Sequence, residues 1–453
     1  MPYLIALPAI FLILSTSFIY AADYSVVVNA ATYKDPSWKA VADALLYKHG
    51  GKLLTYESSP DEVLDQLHQD HPRYTCFVAT RDEAGREFVA TVHQLTRKLD
   101  DDPYTDTFWG ILTGYDAANA LAIAKYRDTL TVRKVASGTE IALEMCEQGL
   151  WYDELVKNKF VRKQKAGSVQ QLQGPDDTTD ALVKSLNDFQ PDLFVTSGHA
   201  TERNWQIGFR YRNGFFKSMG GQMYGEDTHR NRIDVDSPNA KVYLPIGNCL
   251  MGHIDGPDAM ALAWMNDVGV KQMIGYTVPT WFGYGGWGVL DYFVEQPGRY
   301  SLTEAFFANH FSLIHALETD SGDQRGMEFD RDVVAFYGDP KWEARMAAAN
   351  CAYDQTLTVN DNVYTLRVTP NRGVDSFKPI NMNGSQRGWR AIVHWLPERV
   401  TDIRVIKGTE FKPVITDDCV LLPNPRECAP SVTYEVVFTA SVAGDGDVRR
   451  TVD

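Results

Sequence analysis

Beyond residue 22 this 453-residue chain has no apolar run long enough to cross a bilayer, no internal repeat and no low-complexity tract. That excludes a membrane span in the remainder of the chain and a repeat-built architecture. Positive charge is the scarcer sign: 44 Lys and Arg against 59 Asp and Glu leave a net charge of -15. Such a surface repels phosphate backbones, which argues against a nucleic-acid partner and says nothing about a substrate. Cysteine is sparse, with six residues at Cys76, Cys146, Cys249, Cys351, Cys419 and Cys428, and none stands in the paired spacing of a structural zinc site. Charge is absent from the first 22 residues, which are mostly apolar and end Ile19-Tyr20-Ala21-Ala22. The segment reads as a secretory signal peptide, with an uncleaved anchor as the alternative because no Lys or Arg precedes the apolar stretch and Pro8 interrupts it. Cleavage predicts a soluble protein outside the cytoplasm, extracellular or periplasmic, with no membrane span.

What is present is the composition of an ordinary globular protein, 44% apolar and 23% charged. A mature length of about 430 residues exceeds what one core serves, so two or three domains are expected. Strand and helix patterns alternate from the start. Tyr24 to Val28 is an apolar β-branched run; Pro36 to His49 has helical spacing and stops at Gly50-Gly51. Strands are expected at Lys52–Thr55, Thr75–Thr80 and Thr107–Leu112, and helices at Pro60–His68, Arg86–Leu99 and Ala117–Leu130. This alternation predicts an α/β fold, a mostly parallel sheet with helices on both faces. A helix is expected near Thr139 to Leu150, and a hairpin with Asn213-Gly214 as its turn over residues 206–217. From about residue 347 short period-2 runs separated by turn signals predict a small all-β sandwich over 347–453.

Two loops carry the chemistry. Leu193-Phe194-Val195 leads into Ser197-Gly198-His199-Ala200-Thr201-Glu202, and Val242 to Ile246 leads into Gly247-Asn248-Cys249. Both runs read as buried parallel strands, and open α/β sheets place active sites at the carboxyl ends of such strands. A thiol is mostly protonated at neutral pH and needs a neighbouring base to attack a carbonyl, so His199 and Cys249 form a candidate catalytic dyad. The run SGHATERNW from Ser197 to Trp205, the strand before Cys249 and the segment Phe336-Tyr337-Gly338-Asp339-Pro340 resemble the gingipain-type, caspase-like cysteine peptidases over roughly residues 24–345. The resemblance departs at Ala200, where that group usually has glycine. It implies a caspase-like peptidase domain over 23–346, an immunoglobulin-like form for the sandwich, and endopeptidase activity on protein or peptide substrates. It also implies oxyanion binding by the backbone N–H groups of Ala200 and Cys249, and self-processing within the Lys/Arg-rich stretch 157–165, which composition alone reads as a solvated basic surface.

Glu202 is a candidate to orient the imidazole or contact substrate. Trp281 and Tyr284, interleaved with glycines, are candidates to wall a substrate pocket, with core packing the competing reading. Relatives that favour basic residues need an acidic pocket residue, for which Asp106, Asp116, Asp255 and Asp258 are the candidates. No cofactor and no metal are called; calcium, used by some relatives, has no loop signature. Two other functions compete. An inactive caspase-like secreted binding or adhesion protein would explain Ala200. A metal-binding hydrolase would use Cys249, His253, Asp255 and His199. Cys419 and Cys428 flank a proline-containing loop and are expected to form a disulfide. His93, His310 and His315 fall on helical patterns and are assigned no role.

Overall fold

The computed structural model describes residues 23–381, 389–429 and 432–443, so the signal-peptide expectation lies outside the described residues. Twelve strands form one sheet, in the spatial order Lys52–Tyr56, Tyr24–Asn29, Tyr74–Val78, Phe108–Leu112, Val334–Gly338, Val270–Tyr276, Lys241–Pro245, Leu193–Thr196, Lys134–Ser137, Gln148–Tyr152, Lys159–Lys163 and Val169–Gln173. Pairing is parallel through the first four strands and again from Val270–Tyr276 to Gln148–Tyr152. Val334–Gly338 lies between these blocks, antiparallel to Val270–Tyr276 and meeting Phe108–Leu112 at one pair, Tyr337 with Ile111. The last two strands close the far edge antiparallel.

Helices cover both faces. Phe77 meets Phe88 of the helix Arg86–Leu95, while Tyr24, which the register puts on the other face, meets His49 of the helix Pro36–His49. A strand covered on both sides must be apolar at every position, which is why Tyr24 to Val28 does not alternate. Helix Pro36–His49 begins where Asp35 accepts from the Ser37 N–H at 2.7 Å and Pro36 occupies the first turn; it ends at Gly50 with φ 67°.

Several expectations fail for identifiable reasons. Residues 143–145 make one 3-10 turn and Gln148–Tyr152 is a strand, because pairing with Lys134–Ser137 outweighs the weak helical spacing near Thr139 to Leu150. The glycine-rich stretch after Phe282 is the helix Tyr284–Phe293, not a loop. Its glycines serve close approach: a Cβ at Gly286 would overlap the Ile246 carbonyl, and one at Gly288 would overlap Asn309. The hairpin after the histidine loop exists, but Gln206 pairs with Phe215 and Asn213 is buried, its amide bonded to Thr178, so Asn213-Gly214 is not its turn. The basic stretch 157–165 is largely the strand Lys159–Lys163, hydrogen-bonded on both sides. Cleavage there requires that strand to leave the sheet first.

From Tyr353 the chain forms two small antiparallel sheets. One has the order Tyr353–Asn360, Val363–Pro370, Tyr434–Val442, Val400–Lys407; the other Ile392–Trp395, Cys419–Leu422, Val414–Ile415. The second sheet has two apolar faces. Val420 and Leu422 enter the sandwich core, whereas Cys419 and Leu421 join the core of the α/β unit. Trp395 packs edge-on against Phe108 and Phe311 at 4.7 and 5.0 Å between ring centres. This alternation also corrects the disulfide: Cys428 belongs to the sandwich core, opposite the face that carries Cys419, and both are free thiols.

Asp339, in the FYGDP segment, is buried and accepts from Tyr24 Oη at 2.8 Å, Lys48 Nζ at 2.9 Å and His49 Nε2 at 2.7 Å. Its carbonyl accepts from Gln272 Nε2 at 2.7 Å. Tyr24 begins its strand and Gln272 lies in the amino-terminal half of its own, so this hub ties the two sheet blocks together away from the loops that hold His199 and Cys249. Burial alone would raise the Asp339 carboxyl, but the His49 hydrogen bond and the Lys48 charge outweigh it and hold the pKa at about 2. An unfolded Asp titrates near 3.9, so this stabilisation is complete above about pH 4 and is lost as pH falls toward 2. Asp339→Ala leaves the buried Lys48 ammonium without its charged partner and is expected to cost roughly 3–5 kcal/mol in urea unfolding at pH 7. A loss under about 1 kcal/mol would show that the hub does not hold the blocks together. Mass mapping of non-reduced protein is expected to find Cys419 and Cys428 unlinked.

Candidate active site

The strands Leu193–Thr196 and Lys241–Pro245 are adjacent, parallel and in register from Leu193 with Val242 to Thr196 with Pro245. Both loops therefore leave the sheet side by side from carboxyl ends. Gly198 turns the first loop at φ +92°, a conformation that favours glycine, and a Cβ there would stand 3.1 Å from a Glu154 carboxylate oxygen. The fully buried Trp205 anchors the return of the loop, its indole N–H donating to the Ser197 carbonyl at 2.7 Å, and Gln206 N–H closes onto the His199 carbonyl at 2.9 Å. His199 is exposed and its ring stacks on Phe209 with centres 4.6 Å apart. In the second loop the half-buried Cys249 thiol donates to the Thr280 carbonyl at 3.6 Å. Leu250 takes φ 58°, a strained value for a side-chain-bearing residue, and its N–H donates to the Val278 carbonyl at 3.1 Å. The cysteine loop is thus laced against the segment that follows Val270–Tyr276.

Two residues without a distinct sequence signal join these loops. Asn248 is fully buried; its Oδ1 accepts from Thr196 Oγ1 at 2.6 Å and its Nδ2 donates to the Gly198 carbonyl at 3.0 Å. One side chain therefore fixes the spacing between the histidine and cysteine loops. Glu154 lies beneath the histidine loop, with Thr139 Oγ1 donating to its carboxylate at 2.7 Å and the Phe209 N–H donating to its carbonyl at 2.6 Å. It holds both the floor under Gly198 and the ring that stacks on His199. Burial, the largest cause, pushes its carboxyl up to about 7, against the Thr139 hydrogen bond. Asn248 directly precedes the nucleophile candidate and could have been flagged as a polar residue at a buried strand end; Glu154 is distant in sequence and could not.

The backbone N–H groups of Ala200 and Cys249 donate to no acceptor among the described residues, and Ala200 keeps a negative φ, so the glycine departure does not distort the loop. Trp281 is 79% exposed and follows Thr280 directly, beside the thiol. Tyr284 is buried at the start of its helix with its carbonyl bonded to Asn309, so core packing describes it and the pocket-wall expectation does not. Glu202 is half-buried, and its carbonyl accepts from the Met260 N–H at 2.6 Å.

Each acid suggested for a basic-residue pocket is committed elsewhere. Asp106 lies before the amino end of Phe108–Leu112, beside Arg399 of the sandwich. Asp116 caps the helix Ala117–Lys125, Asp255 pairs with Arg203 at 2.8 Å, and Asp258 accepts from the Gly220 N–H at 2.7 Å. Glu140, just past the end of the strand Lys134–Ser137 that flanks the histidine strand, is a half-buried carboxylate without a partner among the described residues. Cys249, His253, Asp255 and His199 do not converge as metal ligands among the described residues, whereas Asp100, Asp102 and Asp106 do. Those three donors offer oxygen only and suit a hard cation such as calcium; burial raises the pKa of all three, and repulsion from neighbouring carboxylates adds to it.

Asn248→Ala takes the amide partner from the Gly198 carbonyl and leaves the Thr196 hydroxyl with Tyr243 Oη alone, and is expected to lower stability by about 1–3 kcal/mol in denaturant titration. Glu154 gives a pH signature. Its folded pKa is raised, so its contribution to stability is complete below about pH 4.3, where the unfolded form is also protonated, and is lost as pH rises to about 7. Glu154→Gln keeps a neutral side chain at every pH, so its melting temperature relative to wild type is expected to be higher at pH 8 than at pH 5. A difference independent of pH would place the Glu154 carboxylate in water.

No family model matches the sequence, and no curated protein matches it. Among solved structures the chain is similar to the Arg-specific cysteine proteinase gingipain R, with 10% identity, 94% of this chain and 96% of that chain covered, and a TM-score of 0.48. It is also similar to a complex of Porphyromonas gingivalis RgpB pro- and mature domains, with 11% identity, coverage of 94% and 98%, and a TM-score of 0.45. A third structure, described only as a protease, has 12% identity, coverage of 92% and 95%, and a TM-score of 0.45.

Proposed function

We propose that this protein is a cysteine endopeptidase in which Cys249 is the nucleophile and His199 the general base and acid. One observation carries the proposal: adjacent parallel strands end in the two loops that carry Cys249 and His199, and the N–H groups of Ala200 and Cys249 in those loops have no acceptor among the described residues. In this mechanism His199 takes the thiol proton as sulfur attacks the peptide carbonyl, and the two N–H groups receive the developing oxyanion. The imidazole then returns its proton to the leaving amine, and water attacks the acyl-enzyme with His199 again acting as base. Phe209 and Glu154 position His199, Asn248 positions both loops, and Trp281 offers an exposed apolar surface to the substrate chain. The proposal takes 23–346 as the peptidase unit and 347–453 as an immunoglobulin-like sandwich docked on it. Export from the cytoplasm is part of the proposal and rests on the composition of residues 1–22.

Ala200 loses its weight as support for an inactive binding protein, because that backbone keeps a negative φ and an N–H with no acceptor among the described residues. The test is hydrolysis of a mixed peptide library by the full chain and its variants. Cys249→Ala and His199→Ala are each expected to lower turnover by more than about three orders of magnitude, and iodoacetamide is expected to label Cys249 and abolish activity. Wild-type turnover in either variant, or inactivation by chelation in place of thiol blockade, would overturn the mechanism.

A further inference from the structure

We propose that His93, His310 and Asp332 form a binding site for one divalent transition-metal ion of the zinc type, reached through the surface cavity over Arg97. The three residues come from the helices Arg86–Leu95 and Leu302–Glu318 and from the segment before Val334–Gly338, and one ligand atom of each lies within 4.8 Å of the others. The two rings face each other with centres 5.2 Å apart.

The state of His93 points to a ligand. It is 1% exposed, its Nε2 donates to the Val334 carbonyl at 2.8 Å, and its Nδ1 is buried without a partner among the described residues. A ring nitrogen with its N–H on a carbonyl and its lone pair turned inward has the arrangement of a metal-binding imidazole, in which the outer hydrogen bond fixes tautomer and orientation. His310 is held similarly, with Nε2 on the Arg331 carbonyl at 3.1 Å and Nδ1 3.3 Å from Thr105 Oγ1, a hydroxyl that can rotate away. Two nitrogens and one carboxylate oxygen favour zinc or a neighbouring transition metal over calcium or magnesium.

Arg97 is the competing cation. Its guanidinium lies 2.7 Å from Asp332, and Arg331 stands 3.2 Å from the same carboxylate. Both arginines line a cavity of about 340 Å³ whose rim carries the exposed carboxylates of Glu318, Asp320 and Glu328. Arg97 and Arg331 stand between this cavity and Asp332, and in the proposal the Arg97 head moves into the cavity when a metal takes Asp332. The acidic rim attracts the ion, and Arg97 sets how tightly it is held.

The experiment incubates the full chain with zinc sulfate, passes it through gel filtration and measures retained zinc, with cobalt absorption reading the ligand field. Wild type is expected to retain one ion per chain. His93→Gln and His310→Gln are expected to weaken binding beyond the roughly 10–100-fold typical of losing only an outer hydrogen-bond partner. Arg97→Ala is expected to tighten it, a gain that misfolding cannot imitate. Cys249→Ala and His199→Ala are expected to leave retention unchanged, which separates this site from the dyad. No retained zinc in wild type, retention equal to wild type in either histidine variant, or weaker binding by Arg97→Ala would each overturn the proposal.

Discussion

The structure depends on one pairing, the parallel alignment of Leu193–Thr196 with Lys241–Pro245. Parallel strands cannot be joined by a tight turn, so the chain between them must leave the sheet and return, and the carboxyl ends then stand together. Everything proposed for the site follows from that adjacency. A slip of one residue would move every side chain of one strand to the other face and carry its loop with it. Asn248 blocks such a slip, because its amide meets Thr196 on one side and Gly198 on the other only in this register. The other end of the cysteine strand is pinned as well: Lys241 is fully buried, with its ammonium donating to the carbonyls of Ser237, Asn239 and Val268.

Several ionisable groups sit in the interior, and they divide by how they are satisfied. Asp339 has charged and neutral donors on several sides and stays ionised far below neutrality. Glu154 has one strong side-chain donor and is driven toward its neutral form. Lys241 meets only carbonyls, and burial lowers its pKa to about 7. Burial disfavours charge in each case, and the number and sign of the neighbours decide whether the group keeps it. The first arrangement holds the sheet blocks together, whereas the second makes the floor of the histidine loop sensitive to pH.

The sandwich is docked through a core and not a linker. Cys419 and Leu421 share the apolar core of the α/β unit, Tyr292 Oη donates to the Ala391 carbonyl at 2.6 Å, and Arg399 reaches across to the Asp106 carbonyl while pairing with Asp417. An interface built this way favours a fixed orientation of the two units over independent motion.

Local spacing was enough to read the alternation of strands and helices, the C-cap at Gly50-Gly51, the period-2 pattern of the sandwich, and the placement of His199 and Cys249 just past apolar strands. Those features are legible because period, β-branching and capping chemistry act within a few residues. The sequence could not decide which acids were free, since Asp255 is taken by Arg203 and Asp258 by Gly220 only after folding. Nor could it tell that the glycines after Phe282 serve helix packing and not a loop, because their close neighbours, Ile246 and Asn309, are distant in sequence. Glu154 beneath Gly198, His310 facing His93 and Cys419 turned away from Cys428 share that origin. Each is a contact between segments that the chain alone does not order, and burial, which sets charge state and partner, exists only once those segments meet.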